Sequence, residues 1–446
     1  MSIFTPADEA ELAEIIAWAA AERQPLEIVG GGSKRGFGRP VSAGHQLDLS
    51  RLRGIIDYDP SELVLTARAA TPMAEIARAL GESRQHLAFE PPDWSTLLDE
   101  EGTAGTPTLG GVIACNLSGP RRIRAGAARD HFLGFAAVNG WGDPWRAGGR
   151  VVKNVTGYDL SKLQAGAFGT LSALTEISVK VMPVPPLSCS LAIDGLDAAR
   201  AVSVMAEALN TPHEVSAVAW LPAAIAARAG VAGAGEDGHE SGGASGRGSV
   251  TLLRLEGPGP SIAYRERALG ALFGTLRPVA EPASRAAWRA IGDAGPLLAP
   301  QGRVVWRLCP TPSRAAALLD AIRARLGDAG CEFFLDWGGG LVWLALAQGV
   351  AGPGVTGTGV AEAGLDGRRA AGQEVEGDCG AGAVRAALAE AGGGHATLVR
   401  APRAARARVA VFEPQRSAAL AALTRRVKAG FDPAGVLNPG RMHEGL

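Results

Sequence analysis

What the chain is short of narrows its reading first. Among 446 residues there are five cysteines, Cys115, Cys189, Cys309, Cys331 and Cys379, and no two stand as Cys-x-x-Cys. That usage fits a reducing compartment and excludes an ordinary iron–sulfur cluster, which needs closely grouped thiolates. The histidines, His45, His86, His131, His213, His239, His395 and His443, are scattered without metal-ligand spacing, so no metal site is expected. No block of like charge occurs: 44 Lys+Arg face 45 Asp+Glu, a formal net charge of −1, which excludes nucleic acid as the expected partner. Residues 1–5 lack a basic region followed by an apolar run, so no signal peptide is read there. One long uncharged stretch, residues 337–360, is broken by Gly338, Gly339, Gly340, Gln348 and Pro353. It reads as a buried strand followed by a flexible loop, not as a transmembrane segment.

What is present is apolar residue and glycine in quantity. Hydrophobic residues make up 47%, enough for a large core, and the length allows two or three domains. Thr5-Pro6 followed by Asp8 and Glu9 has the chemistry of a helix start, with Leu12, Ile15, Ile16 and Ala19 at helical spacing. Short strand-like runs follow at residues 26–29, 46–49, 54–58 and 63–69, and Thr71-Pro72 opens a second helix to Leu80. Pro183, Pro185 and Pro186 mark a boundary. Beyond it strands alternate with amphipathic helices, interrupted by Gly/Ala-rich inserts at about 229–248 and 349–394 that read as mobile loops. The class is α+β, with domains expected at 1–185 and 186–428 and a closing segment at 429–446.

Much of the remaining glycine sits in turns. Gly30-Gly31-Gly32-Ser33-Lys34-Arg35-Gly36 follows a strand, where missing Cβ atoms let backbone N–H groups approach a phosphate. It is neither a Walker loop, since Phe37 follows Gly36, nor a dinucleotide fingerprint, since Arg35 holds the third glycine position. Alone, it reads equally well as a surface turn. A second cluster runs Gly102-Thr103-Ala104-Gly105-Thr106-Pro107-Thr108-Leu109-Gly110-Gly111 into residues 112–116. A third, Lys153-Asn154-Val155-Thr156-Gly157-Tyr158-Asp159-Leu160-Ser161-Lys162-Leu163, is followed by Ala167-Phe168-Gly169-Thr170-Leu171.

This order of segments resembles the FAD-binding domain of the vanillyl-alcohol oxidase/p-cresol methylhydroxylase (PCMH) type. Leu87-Ala88-Phe89-Glu90-Pro91-Pro92-Asp93 and the closing Phe431-Asp432-Pro433-Ala434-Gly435-Val436-Leu437-Asn438-Pro439-Gly440-Arg441 fit it too. The resemblance implies two α+β subdomains with FAD between them, then an α+β cap. It implies Gly31, Gly32, Ser33, Lys34 and Arg35 at the pyrophosphate; Thr108, Gly110, Gly111 and Asn116 along the pyrophosphate or flavin; and Gly169, Thr170 and Ile177 near the adenine. A second reading stays open, in which Asn116 and Thr170 satisfy buried backbone groups and Lys34 and Arg35 are solvated. With no histidine between Gly30 and Arg39, FAD is expected to be non-covalent, and neither Cys115 nor His131 is marked as an attachment site.

Within that family the chain is similar to the smaller flavin subunits of glycolate oxidases. The implied function is oxidation of a small 2-hydroxy acid such as glycolate in the cytoplasm. The implied partners are a second FAD-binding subunit and an iron–sulfur subunit, which could hold the chain at the inner face of the membrane. Such chemistry needs a base for the hydroxyl proton, a cation for the carboxylate and the flavin as hydride acceptor. Arg303 and Arg307, two apart from Val305 on one strand face, and Arg441 in the tail are the candidate cations, with Arg307 and Arg441 put forward as catalytic. Asp336 is the one base suggested, without support beyond its place beside Trp337. Two other readings stay open: a non-catalytic FAD-binding structural or electron-relay subunit, and a stand-alone oxidase using O2.

Overall fold

A computed structural model describes residues 1–99, 105–150, 157–233, 248–299, 302–327, 330–347, 377–415 and 417–446. The Gly102–Ala104 triplet, the Lys153–Thr156 start of the third motif and most of both Gly/Ala-rich inserts lie outside the described residues. Among the described residues no helix is long and apolar enough to cross a membrane.

The first helix is Glu9–Ala21, one turn later than the sequence suggests. Asp8 takes the N-cap, its carboxylate accepting from the amides of Ala10 and Glu11. A carboxylate at that position also meets the positive end of the helix dipole, which the Thr5 hydroxyl would not. The helix buries Leu12, Ile16 and Ala19 against a parallel three-stranded sheet of Ser2–Phe4, His45–Asp48 and Leu26–Val29. Beside it lies an antiparallel five-stranded sheet, in the order Ile55–Asp59, Val64–Arg68, Ser172–Lys180, Phe132–Asn139 and Pro144–Gly148. The helices Met73–Glu82 and Leu109–Ala114 add Ile76, Leu80, Val112 and Ile113 to the core at this sheet.

From Leu187 to Arg400 the strands form one eight-stranded sheet. Its order is Arg277–Val279, Leu187–Asp194, Val250–Gly257, Ala217–Leu221, Cys331–Asp336, Leu341–Leu346, Val304–Pro310 and Gly394–Arg400. Strand alternation sorts its side chains. Val304, Trp306 and Leu308 face a core shared with the helices Ala198–Asn210, Ala315–Leu326 and Ala381–Glu390. Val305, Trp343 and Phe334 face the other way, into a core continuous with Phe37, Trp94 and Phe168 of the N-terminal body. The sheet is thus buried on both faces, and one face is the floor on which the N-terminal elements rest.

Glu90, Trp94 and Arg121 fasten the two bodies. Arg254 donates to both carboxylate oxygens of Glu90 at 2.8 Å, Arg121 pairs with Glu256 at 2.9 Å, and Trp94 Nε1 donates to the Gly292 carbonyl at 3.1 Å. The bidentate Arg254–Glu90 pair fixes distance and orientation together.

The chain then returns. Helix Ala418–Phe431 leads into a tail in which Leu437 pairs in parallel with Leu26. The Leu26 amide donates to the Val436 carbonyl at 2.8 Å and the Asn438 amide to the Leu26 carbonyl at 3.0 Å. Residues 411 positions apart thereby share one edge of the first sheet.

Candidate functional site

A cleft opens where these pieces meet. Its walls come from every region the glycine-rich motifs occupy. The turn after Leu26–Val29 supplies residues 30–35, the helix Leu109–Ala114 supplies Gly110, Gly111 and Ala114, and Phe168, Gly169, Asn438 and Arg441 close the far side.

Missing side chains make the cleft possible. The Thr106 amide donates to the Gly31 carbonyl at 2.7 Å, and Gly32 pairs with Thr106 in parallel. A Cβ at Gly31 would lie 1.9 Å from the Thr106 carbonyl oxygen, and one at Gly105 would lie 2.2 Å from that of Gly31. Two bare backbones therefore lie flat on each other, and Gly32, at φ 79°, turns the chain away. At the head of Leu109–Ala114, Thr108 Oγ1 accepts from the Gly111 amide at 3.3 Å.

The tail is locked to this cleft by two buried polar side chains. Asn438 accepts from the Ile28 amide and donates to the Phe168 carbonyl, both at 2.8 Å. Lys428 Nζ donates to the Thr170 carbonyl at 2.7 Å, to Asp432 Oδ2 at 2.6 Å and to the Leu437 carbonyl at 2.9 Å. Asp432 also accepts from the amides of Val436 and Leu437 at 3.0 and 2.8 Å. Burial pulls the Lys428 ammonium below lysine's ordinary range, while Asp432 pulls it back up.

The buried charged side chains of the cleft are cationic; Glu27, also in the lining, is engaged by Arg35. Lys34 and Arg441 line the cleft and are buried, and neither has a carboxylate in ion-pair contact among the described residues. Lys34 donates to Ser33 Oγ at 3.0 Å, and Arg441 to the Lys34 carbonyl at 2.8 Å. Burial lowers the Lys34 ammonium from its ordinary value and brings the Arg441 guanidinium down to about 10. Burial also pushes the Cys115 thiol, another lining group, up to about 11 against the pull of Lys34 and Arg441, so it stays protonated. Two buried cations without an anion are costly, and a diphosphate offset by charge-assisted hydrogen bonds removes that cost. A further group points the same way. Gln164 lines the cleft and accepts from Ser172 Oγ at 2.9 Å, but its buried Nε2 has no partner. Bare glycines, unopposed cations and an orphaned amide donor fit FAD.

Of the positions expected from sequence, Gly31, Gly32, Ser33, Lys34, Arg35, Thr108, Gly110, Gly111, Gly169 and Arg441 line the cleft. Asn116, Thr170 and Ile177 are not among the residues that line it. Asn116, at φ 49°, accepts from the Arg129 amide at 3.0 Å. Thr170 donates to the Ala167 carbonyl at 2.6 Å on the far side of the wall. Ile177 is fully buried between its strand partners Ala67 and Phe135. Arg35 meets the cleft, but its guanidinium pairs with Glu27 at 2.5 Å.

Arg307 is also absent from the cleft lining; it lies over Trp337, 5.0 Å from the ring centroid. Arg303 precedes the strand and is paired with Glu332. Asp336 is buried behind Trp337, whose amide it accepts at 2.7 Å; it is a backbone anchor, not a base in contact with the cleft. Sequence reasoning missed Gln164, Asn438 and Lys428. Asn438 and the Lys428/Asp432 spacing stood within or beside the closing motif and could have been read there; Gln164 carried no signal.

Between cleft and eight-stranded sheet stands an aromatic wall. Ring centroids are 5.1 Å apart for Phe37–Phe168, 5.5 Å for Phe37–Trp94, 5.4 Å for Trp94–Trp343 and 4.9 Å for Phe168–Phe412.

Comparison with known proteins agrees with this geometry. Residues 2–148 match the family model described as an FAD binding domain, and residues 406–442 match the C-terminal domain of FAD linked oxidases. Two solved structures share the fold. They are 4-ethylphenol oxidase from Gulosibacter chungangensis, at TM-score 0.69 and 14% identity, and p-cresol methylhydroxylase, at TM-score 0.66 and 15% identity. Each match covers 99% of this chain and 88% of the other. Fold and cleft thus define an FAD-binding oxidoreductase of the PCMH type. Over 436 residues, 98% of this chain and 97% of the relative, it is 33% identical to glycolate oxidase subunit GlcE of Escherichia coli, and it belongs to that family. Glycolate oxidase subunit GlcD of Bacillus subtilis is 31% identical over 185 residues, 41% of this chain and 37% of that protein.

Proposed function

We propose that this chain is the FAD-binding subunit of a glycolate oxidase-type complex. The complex oxidises small 2-hydroxy acids such as glycolate to glyoxylate and passes the electrons to a partner subunit. The end-to-end similarity to GlcE carries this reading. Bound in the cleft, FAD, held non-covalently, supplies the hydride acceptor. The protein's own residues bind and orient it. The glycine turn at Gly30, Gly31 and Gly32 lines the cleft where the diphosphate would lie, Lys34 and Arg441 offset its charge, and Gln164 Nε2 gains the partner it lacks. Asn438 and Lys428 hold the tail that carries Arg441.

The partners in this reading are a second FAD-binding subunit and an iron–sulfur subunit, in the cytoplasm and held through them at the inner face of the membrane. The expected division into 1–185, 186–428 and 429–446 places the cleft between the first and last parts.

One observation favours a second reading, an FAD-binding electron-relay subunit of the same complex that oxidises nothing alone. The aromatic wall stands between the cleft and the eight-stranded sheet. Purification with tagged partners, a visible spectrum and glycolate-dependent dye reduction distinguish the two. Both readings expect variants of this subunit's cleft to lower turnover by the assembled complex, but glycolate-dependent dye reduction by the lone FAD-loaded chain fits only the first. Full turnover by a complex whose copy of this chain holds no flavin would overturn both.

A further inference from the structure

Away from the cleft, two arginines converge on one tryptophan. Arg122, from the helix Arg122–Ala125, lies 4.4 Å from the centroid of the Trp337 ring, and Arg307, from the strand Val304–Pro310, lies 5.0 Å from it. One cation comes from the N-terminal body and the other from the eight-stranded sheet, so the ring marks the junction between them. Both arginines are half-buried.

Trp337 is held there at a cost. It sits at φ 54°, a left-handed backbone that a bulky residue rarely adopts, and Gly338 and Gly339 continue at φ 66° and 93°. Asp336 Oδ1 fixes its amide at 2.7 Å, and its Nε1 donates across the junction to the Gly119 carbonyl at 3.1 Å. The ring is therefore a rigid platform whose orientation is set from both sides.

The two guanidiniums lack an anion. Among the described residues neither has a carboxylate in ion-pair contact. The acids in electrostatic reach are engaged elsewhere: Asp130 accepts from the Ala127 amide at 2.8 Å, and Asp336 from Trp337. Burial, and then the charge of Arg307, pull the Arg122 guanidinium below its ordinary range. Like charges gathered on one ring at a domain junction repel unless an anion joins them. Guanidinium forks match a carboxylate in bidentate geometry, and the indole offers an apolar face to a short carbon chain.

We propose that Arg122 and Arg307, paired on Trp337, form a binding site for a small free carboxylate at the junction of the two bodies. The choice of ligand, a small acid of that chemistry, rests on the proposed function; none of the three residues lines the cleft, so the site holds its acid apart from the flavin. The site lies beside the aromatic wall, since Arg307 is the cross-strand partner of Trp343.

The test uses the FAD-loaded full chain and oxalate, a two-carbon acid the flavin does not oxidise, titrated at constant ionic strength by calorimetry and tryptophan emission. Saturable oxalate binding is expected. R122Q and R307Q should each weaken it roughly 10-fold or more, the share of one charge-assisted contact, while the flavin spectrum stays that of the parent. R122K and R307K should fall between, because lysine cannot present a fork. W337F should retain binding but lose the emission change. Oxalate binding no tighter than chloride, or unchanged in both glutamine variants, would overturn the site. If oxalate binds as described but the assembled complex leaves glycolate unoxidised, the site stands and the functional reading falls. If glycolate is oxidised and oxalate neither binds nor competes, the site falls and the functional reading stands.

Discussion

Replacing Lys428 by methionine tests the claim that the tail is part of the cofactor site. Methionine keeps the apolar stem and removes one ammonium with three acceptors: Thr170 carbonyl, Leu437 carbonyl and Asp432. Asp432 then stays buried as a carboxylate supported only by the amides of Val436 and Leu437. Removing one partner of a buried pair costs about 3–5 kcal/mol, a large share of the roughly 5–15 kcal/mol that holds a domain together. The loss falls on the tail, which carries Asn438 and Arg441 into the cleft, so flavin should leave before the sheets unfold. Urea titration followed in parallel by flavin fluorescence and far-UV circular dichroism separates the two events. The expected outcome for K428M is flavin release at lower urea, with the sheet transition moved less. K428M/D432N should recover at least about 1 kcal/mol of the loss, since the coupling of two groups in contact is not additive. Flavin release within about 0.5 kcal/mol of the parent, or strict additivity in the double variant, would refute the reasoning.

Other outcomes follow from the same geometry. G31A places a methyl 1.9 Å from the Thr106 carbonyl oxygen and should yield protein without flavin absorbance while the far-UV spectrum is kept. Q164L removes the orphaned donor and should raise the FAD dissociation constant about 10-fold, measured by fluorescence quenching; it also removes the acceptor of buried Ser172 Oγ, so Q164L/S172A is the control that separates the two losses. Burial pushes the Asp336 carboxyl up to about 7, against the pull of the Trp337 amide, Arg254 and Arg307 and with that of Glu90. The folded state therefore binds this proton more tightly than the unfolded chain, and stability falls as pH rises from about 4 to about 7. D336N should flatten that part of the profile by on the order of 2–4 kcal/mol. His86, brought down to about 4 by burial and by Arg121, acts in the opposite direction, so the difference between D336N and parent urea midpoints across pH is the measurement.

Legibility in the sequence followed how local the cause was. The strand at Leu26–Val29, the turn at Gly30–Gly36 and the helix after Thr71-Pro72 are set by neighbours in the chain, and could be read from it. The first helix began after Asp8 instead of Thr5 because the Asp8 carboxylate takes the amides of Ala10 and Glu11, while Glu11 reaches back to the Ala7 amide that a Thr5 cap would have served. Asn116, Thr170 and Ile177 sit in or beside the right motifs, yet their side chains turn to backbone or core, a choice made by strand register and wall packing. Gln164 was invisible because its meaning comes from what it fails to touch. The separation of Arg307 from Arg441 depends on how the eight-stranded sheet lies against the N-terminal body, which no local pattern encodes.

The pairing of Leu437 with Leu26 has a consequence for biosynthesis. The edge of the first sheet, and the cofactor seat with it, stays incomplete until residues 436–438 have left the ribosome. A product that stops before Asn438 would contain both large sheets and still be unable to take up its pigment, so colour reports that translation has run to the closing motif.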